Sequence, residues 1–240
     1  MTGSEPEGRG DPERSRFLAT MSHDIRTPLT ALRGALGLLE RGDVPPEVHD
    51  QMIRMVRRSS IRFERLAFGL IAIDLIDAGS TPILREAADL REIVEDVVAA
   101  TQREHELLDV DIPQERVDVA CDRDRTGQAL DHLIDNARKF GGPGSTVRVS
   151  VSADGSRGIV TVSDEGPGIA PEDRERIFQR YVQVGERMPN EPRGAGIGLY
   201  LARWNAEAMG GSVRLIDTAQ SGSIFELSLP LLPAPKVDES

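Results

Sequence analysis

Along the first third of the chain, apolar residues recur in steps of three or four at Phe17, Met21, Ile25, Leu29, Leu32, Leu36 and Leu39. Residues so spaced share one helix face, so the pattern predicts a helix over residues 12–41. Gly42 closes it, with Pro45 and Pro46 as stop signals. A second stripe at Val48, Met52, Val56, Phe63, Leu66, Leu70 and Ile73 predicts another helix reaching about Asp77. Two long helices on a short loop make an antiparallel hairpin. One hairpin cannot bury both stripes, whereas a second copy would complete a four-helix bundle, so a homodimer is expected.

Beyond Gly79–Pro82 the pattern changes to mixed helices and strands. Helices are expected at Asp89–Gln102, Asp124–Phe140 and Ile197–Met209. Strands are expected at Val117–Ala120, at Val147–Val151 and Ile159–Ser163 around the turn Asp154-Gly155, and at Val213–Ile216 and Ile224–Leu229. This mixture implies an α+β sandwich, one sheet covered by helices on one face. The expected organisation is a disordered tail over 1–11, a helical domain over 12–78, a linker over 79–84, an α/β domain over 85–230 and a loose tail over 231–240.

Charge narrows the classes of partner. The formal net charge is −11, and residues 79–240 hold 18 basic against 28 acidic groups. Such a surface gives no reason to expect nucleic acid as a partner. The apolar run around Leu66–Ile76 is interrupted by Asp74 and too short to span a bilayer, so no direct membrane insertion is expected. A lone cysteine, Cys121, suits a reducing compartment, and the reading is cytoplasmic.

Candidate chemistry begins in the first helix. His23 lies two residues from both Met21 and Ile25, so it points away from the apolar stripe, with Asp24 beside it. Pro28 lacks the amide that would bond the Asp24 carbonyl, which should bend the helix beside His23. In the second domain, Asn136 and Lys139 stand three apart on one helix face. An amide oxygen can ligate Mg²⁺, and an ammonium one turn away can contact phosphates. Asp164 ends a strand, where its carboxylate can accept a hydrogen bond from a base amine. Gly166 and Gly168 follow and permit close approach of a ligand. Gly194, Gly196 and Gly198 stand at the start of a helix, whose free amides and dipole suit a triphosphate. Residues 179–193, polar and long, have the character of a mobile lid.

These segments, F-L-A-T-M-S-H-D-I-R-T-P-L-T, L-D-H-L-I-D-N-A-R-K-F, D-E-G-P-G-I, R-I-F-Q-R-Y and G-A-G-I-G-L, occur in that order. In order and spacing, residues 15–230 resemble the core of a sensor histidine kinase of bacterial two-component systems. The resemblance implies a dimerisation and phosphoacceptor hairpin followed by a Bergerat-type ATP-binding domain of the GHKL ATPase class. It implies His23 as the phosphorylated nucleophile, Asp24 as its adjacent base or orienting group, and Thr27 in dephosphorylation of the partner. ATP is then the substrate, with Mg²⁺ on Asn136, a phosphate on Lys139, the adenine amine on Asp164 and Phe140 packed on the base. Phe178 and Tyr181 would anchor the base of the lid. The partner would be a response-regulator receiver domain, and the signal would arrive from a separate sensor protein or an upstream domain.

His132 stands where the family usually has the first asparagine of its box, and Ser223 replaces a usual threonine. The first departure supplies the one argument for an alternative, a catalytically impaired dimeric adaptor or phosphotransfer protein of the same architecture. His49 and His105 have no motif context and read as surface residues.

Overall fold

The structure, a computed structural model, describes residues 12–41, 44–102, 108–142, 144–184, 196–217 and 222–232. It divides into two compact units, Met1–Asp74 and Leu75–Ser240.

The first unit is helical, formed by α1 (Pro12–Leu39) and most of α2 (Pro46–Asp77). Helix α1 continues through Pro28, which is buried. Two residues on, Thr30 Oγ1 donates to the Arg26 carbonyl at 2.8 Å. Helix α2 begins with proline at its first position, where a missing amide costs nothing. Ala35 on α1 and Met52, Leu66 and Ile73 on α2 are buried, Leu66 and Ile73 being two turns apart. A different set is exposed: Leu29 and Leu36 on α1, and Ile53, Phe68 and Ile71 on α2, with Phe68 at 68%. Each helix therefore carries apolar side chains beyond those a single copy covers.

The second unit is built on a five-stranded sheet in the order β2-β4-β5-β7-β6, with a separate β1-β3 pair. The strands are β1 (Glu86–Asp89), β2 (Leu108–Asp111), β3 (Asp118–Cys121), β4 (Val147–Asp154), β5 (Arg157–Asp164), β6 (Ser212–Asp217) and β7 (Ser223–Pro230). Only β2 pairs in parallel, with β4; every other pairing is antiparallel. Alternation explains which face is covered: Val147, Val149 and Val151 of β4, Val160 and Val162 of β5, and Phe225, Leu227 and Leu229 of β7 are buried. Against the sheet pack α3 (Leu90–Gln102), α4 (Arg123–Gly141) and α5 (Gly198–Ala208).

Helix α4 starts at Asp122, whose carboxylate accepts the Arg125 amide at 3.1 Å, an N-cap of the expected kind. Its inner face is Ala129, Leu130, Leu133, Ile134 and Ala137; α5 answers with Leu201, Ala202 and Ala206. The alanines let the two helices approach closely. Strands β1 and β2 were not expected from the pattern. β1 is four residues with two exposed positions, and β2, also only four residues, pairs with a strand distant in sequence. Residues 82–85, in and beside the expected linker, are tied to this unit. The Leu84 amide donates to Asp122 Oδ2 at 3.1 Å, Arg125 Nη2 to the Pro82 carbonyl at 3.2 Å, and Arg85 Nη2 to the Ala208 carbonyl at 2.6 Å.

Asp89, at the end of β1, has a fully buried side chain. It accepts from the Arg91 amide at 3.1 Å, from Arg91 Nη2 at 2.7 Å and from the Val117 amide at 3.3 Å, joining β1, α3 and the approach to β3. The Arg91 guanidinium holds its carboxyl below the ordinary value of 3.8, against the opposing effect of burial. A depressed folded-state pKa stabilises above the unfolded value and loses that contribution as pH falls through the folded one. Asp89→Asn should therefore lower the unfolding free energy of this unit at neutral pH by about 2–3 kcal/mol. Denaturant titration would show the deficit shrinking as the parent is acidified below about pH 4.

Candidate functional site

A second buried carboxylate of this unit is Asp164, the last residue of β5, only 8% exposed. Its Oδ1 accepts the Gly166 amide at 2.8 Å, and the Ser223 backbone amide supplies a further hydrogen bond. Burial pushes the carboxyl above the ordinary 3.8, and these two amides pull it partly back. The chain turns sharply to deliver the first of them. At Gly166 an added Cβ would stand 2.5 Å from the Phe140 carbonyl oxygen and 2.8 Å from Asp164 Oδ1, so no side chain fits. That wedge joins the C-terminal end of α4 to the end of β5, and it sets Phe140, 46% exposed, beside Asp164.

Immediately before Phe140 on α4 stands Lys139, which forms an ion pair with Asp135, i to i+4. Asn136 is half-buried, and its amide has no hydrogen-bond partner among the described residues. One turn further back is His132, whose ring lies against the first residue of α5: a Cβ on Gly198 would be 3.4 Å from His132 Nδ1. The α4 face bearing Asn136 therefore leads to the N-terminal end of α5. Among the described residues no side chain caps that end, and Gly198 opens the helix. The backbone just before it turns at Gly196, with φ +70°, in a space where a Cβ would meet the Tyr181 carbonyl carbon at 2.8 Å. Gly168, with φ +77°, lies in the turn after Asp164.

Asn136, Lys139, Phe140, Asp164, Gly166, Gly168, Gly196 and Gly198 thus all belong to one compact unit. Gly194 and residues 185–193 of the expected lid lie outside the described residues, as does His105. In α1 the backbone places His23 and Asp24 within the helix; their side chains lie outside the described set. Thr27 is exposed on the same helix, and His49 is exposed beside Asp50 on α2. Phe178 is buried edge-to-face against Phe225, with ring centroids 6.2 Å apart, so it packs rather than facing a ligand.

Several site-shaping contacts were not read from the sequence. Asp135 was legible in principle, four residues before Lys139. The pairing of Arg203 with Phe178 and of Arg180 with Tyr200 was not, because it joins segments separated by residues 185–195.

Residues 13–71 match the His Kinase A (phospho-acceptor) domain, and residues 121–233 match the Histidine kinase-, DNA gyrase B-, and HSP90-like ATPase family. The chain belongs to the sensor histidine kinases and carries their phospho-acceptor and ATPase-like core. It is 33% identical over 252 residues to the signal transduction histidine-protein kinase AfsQ2 of Streptomyces coelicolor, covering all of this chain and 45% of that one. Among solved structures it is similar to the Acinetobacter baumannii histidine kinase AdeS, with a TM-score of 0.59, 26% identity and coverage of 88% of this chain and 98% of that one. It also resembles full-length ShkA in complex with AMPPNP, with a TM-score of 0.63, 27% identity and coverage of 90% and 46%. The chain spans between a quarter and just under half the length of the first curated relatives it matches. Among the described residues, no helix is long and apolar enough to cross a membrane.

The environment of Asp164 has a measurable consequence. A carboxyl whose folded-state pKa is raised favours the fold at low pH and loses that contribution as pH rises through the folded value. The melting temperature of the parent relative to Asp164→Asn should therefore fall between about pH 4 and pH 7. A flat difference across that range would show that burial does not dominate at this carboxylate.

Proposed function

We propose that this chain is an ATP- and Mg²⁺-dependent protein-histidine kinase that phosphorylates its own His23 and passes the group to an aspartate of a response-regulator receiver domain. The observation that carries the proposal is the assembly of three elements in one unit: the buried carboxylate of Asp164, the Asn136–Lys139 face of α4 and the start of α5. The same chain also supplies the phospho-acceptor helix.

Each group has a task. Asp164, anchored by backbone amides, presents its remaining acceptor capacity to the exocyclic amine of adenine. Phe140 covers the base. The first-turn amides of α5 and the Lys139 ammonium receive the phosphates. Lys139 exchanges its pairing with Asp135 for the phosphates.

Among the described residues no three His, Cys, Asp or Glu side chains cluster as a metal cage. The Asn136 amide, without a hydrogen-bond partner among the described residues, fits Mg²⁺, which keeps most of its waters and binds substrate phosphates. When bound, Mg²⁺ offsets the triphosphate charge.

In α1, Asp24 takes the proton of one imidazole nitrogen as a hydrogen bond, leaving the other unprotonated to attack the γ-phosphorus. The P–N bond forms as the bond to the bridging oxygen breaks, and ADP leaves. Most of the rate then comes from positioning and charge neutralisation. Thr27, exposed four residues after His23, is placed to help water attack the phosphorylated partner.

The exposed Leu29, Leu36, Phe68 and Ile71 support pairing with a second copy into a four-helix bundle. A cytoplasmic location follows from the substrate and suits the single, buried Cys121. The signal would come from a separate sensor protein or an upstream domain.

Incubation with radiolabelled ATP should yield an acid-labile, base-stable protein phosphate that His23→Gln abolishes; label persisting in that variant would overturn the acceptor assignment. Asn136→Ala should reduce labelling to background while retaining the parent's melting profile. Calorimetric titration with Mg-ATP separates this reading from a non-catalytic adaptor, which need not bind nucleotide.

A further inference from the structure

Residues 180–182 hold the backbone in a conformation that needs explaining. Tyr181 has φ +68°, the one non-glycine residue with a positive φ among the described residues. A side chain in the left-handed region is strained and persists only where its surroundings impose it. Two constraints bracket it. On one side, the Tyr181 amide donates to the Gly196 carbonyl at 2.7 Å. On the other, Arg180 is held by both arms of its guanidinium. Nη2 donates to Tyr200 Oη at 2.5 Å, with the guanidinium carbon 4.6 Å from that ring's centroid, and Nη1 donates to Asp77 Oδ1 at 2.6 Å. Asp77 belongs to the same compact unit.

The consequence falls on the start of α5. Residue 196 is pressed against this segment: an added Cβ would lie 2.8 Å from the Tyr181 carbonyl carbon and 2.8 Å from the Val182 carbonyl oxygen. The helix opens two residues later, and Tyr200 sits in its first turn. The segment therefore touches the start of α5 twice, at the backbone through Gly196 and at a side chain through Tyr200.

We propose that Arg180 is a positioning residue for the phosphate end of the site. By gripping Tyr200 it locks residues 180–182 into the brace that aims the first amides of α5. This rests on the reading of α5 as the triphosphate-binding end. The role is local, because the preceding residues are anchored independently. Arg203 lies 3.6 Å over the Phe178 ring, its Nη1 donates to Glu175 Oε2 at 3.1 Å, and its Nε donates to the Val213 carbonyl at 3.2 Å. Asp164 and Phe140, which would hold the base, lie on other elements.

Calorimetric titration of the whole chain with Mg-ATP and with adenosine tests this, since adenosine engages only the base end. Tyr200→Phe removes one hydroxyl and leaves the ring, so it tests the grip even if Arg180→Ala fails to fold. Both variants should lose about five- to tenfold in ATP affinity, the range of one charged hydrogen bond acting through its neighbours. Adenosine affinity should hold within about twofold, inside the 0.5 kcal/mol typical of remote sites. Arg180→Lys, which keeps the charge but not the two-armed fork, should fall between parent and Arg180→Ala. Unchanged ATP affinity in Tyr200→Phe, or equal losses for both ligands, would overturn the positioning role. A parent that binds ATP no better than adenosine would instead bring down the triphosphate reading, and Arg180's role with it.

Discussion

A carboxylate buried at the end of a strand must be met by donors, and in this protein that requirement shapes the whole site. Asp164 is 8% exposed and is met by two backbone amides, from Gly166 and Ser223. Delivering the first bends the chain sharply after β5 and presses residue 166 against the C-terminal end of α4. The second comes from the start of β7, whose first residue pairs with Asp164 in the sheet register. Three elements distant in sequence are thereby fixed about one acid group. An apolar side chain at position 164 would remove the reason for the turn, and with it the placement of Phe140.

The other half of the site depends on how α4 and α5 pack. Small residues along both helices permit close contact, and the ring of His132 fills the gap beside Gly198. Asn136, one turn along from His132, lies on the α4 face that leads toward the start of α5. The helix face and the helix end proposed to receive phosphates come together because the sheet beneath holds the helices at that spacing. His132, which in the sequence stood out as a departure from the family's box, is here part of the packing between α4 and α5.

The two units differ in how they meet burial. The second has its own core, with side chains such as Phe225, Leu130 and Val160 fully enclosed. In the first, the buried positions named on α1 and α2 are few, while Phe68, Ile71 and Leu36 remain exposed. An unpaired helical stripe of that size is what association through the helices would cover.

Periodicity determined the long helices, the hairpin β4–β5 and the helices flanking the site, because helical and strand spacings repeat over enough residues to stand out from noise. Motif order pointed to the family and to the candidates Asn136, Lys139, Asp164 and the glycines, because that combination of residue types at those spacings stands out before any packing is known. What the sequence could not determine were contacts closed across long separations. The parallel pairing of β2 with β4, the clasp of residues 82–85 on α4 and α5, the burial of Asp89 with Arg91, and the grip of Arg180 on Tyr200 all belong to that class. Arginines and aspartates are common in this chain, and nothing local marks which will meet. Only the assembled sheet, by fixing where each helix end lies, decided those partners.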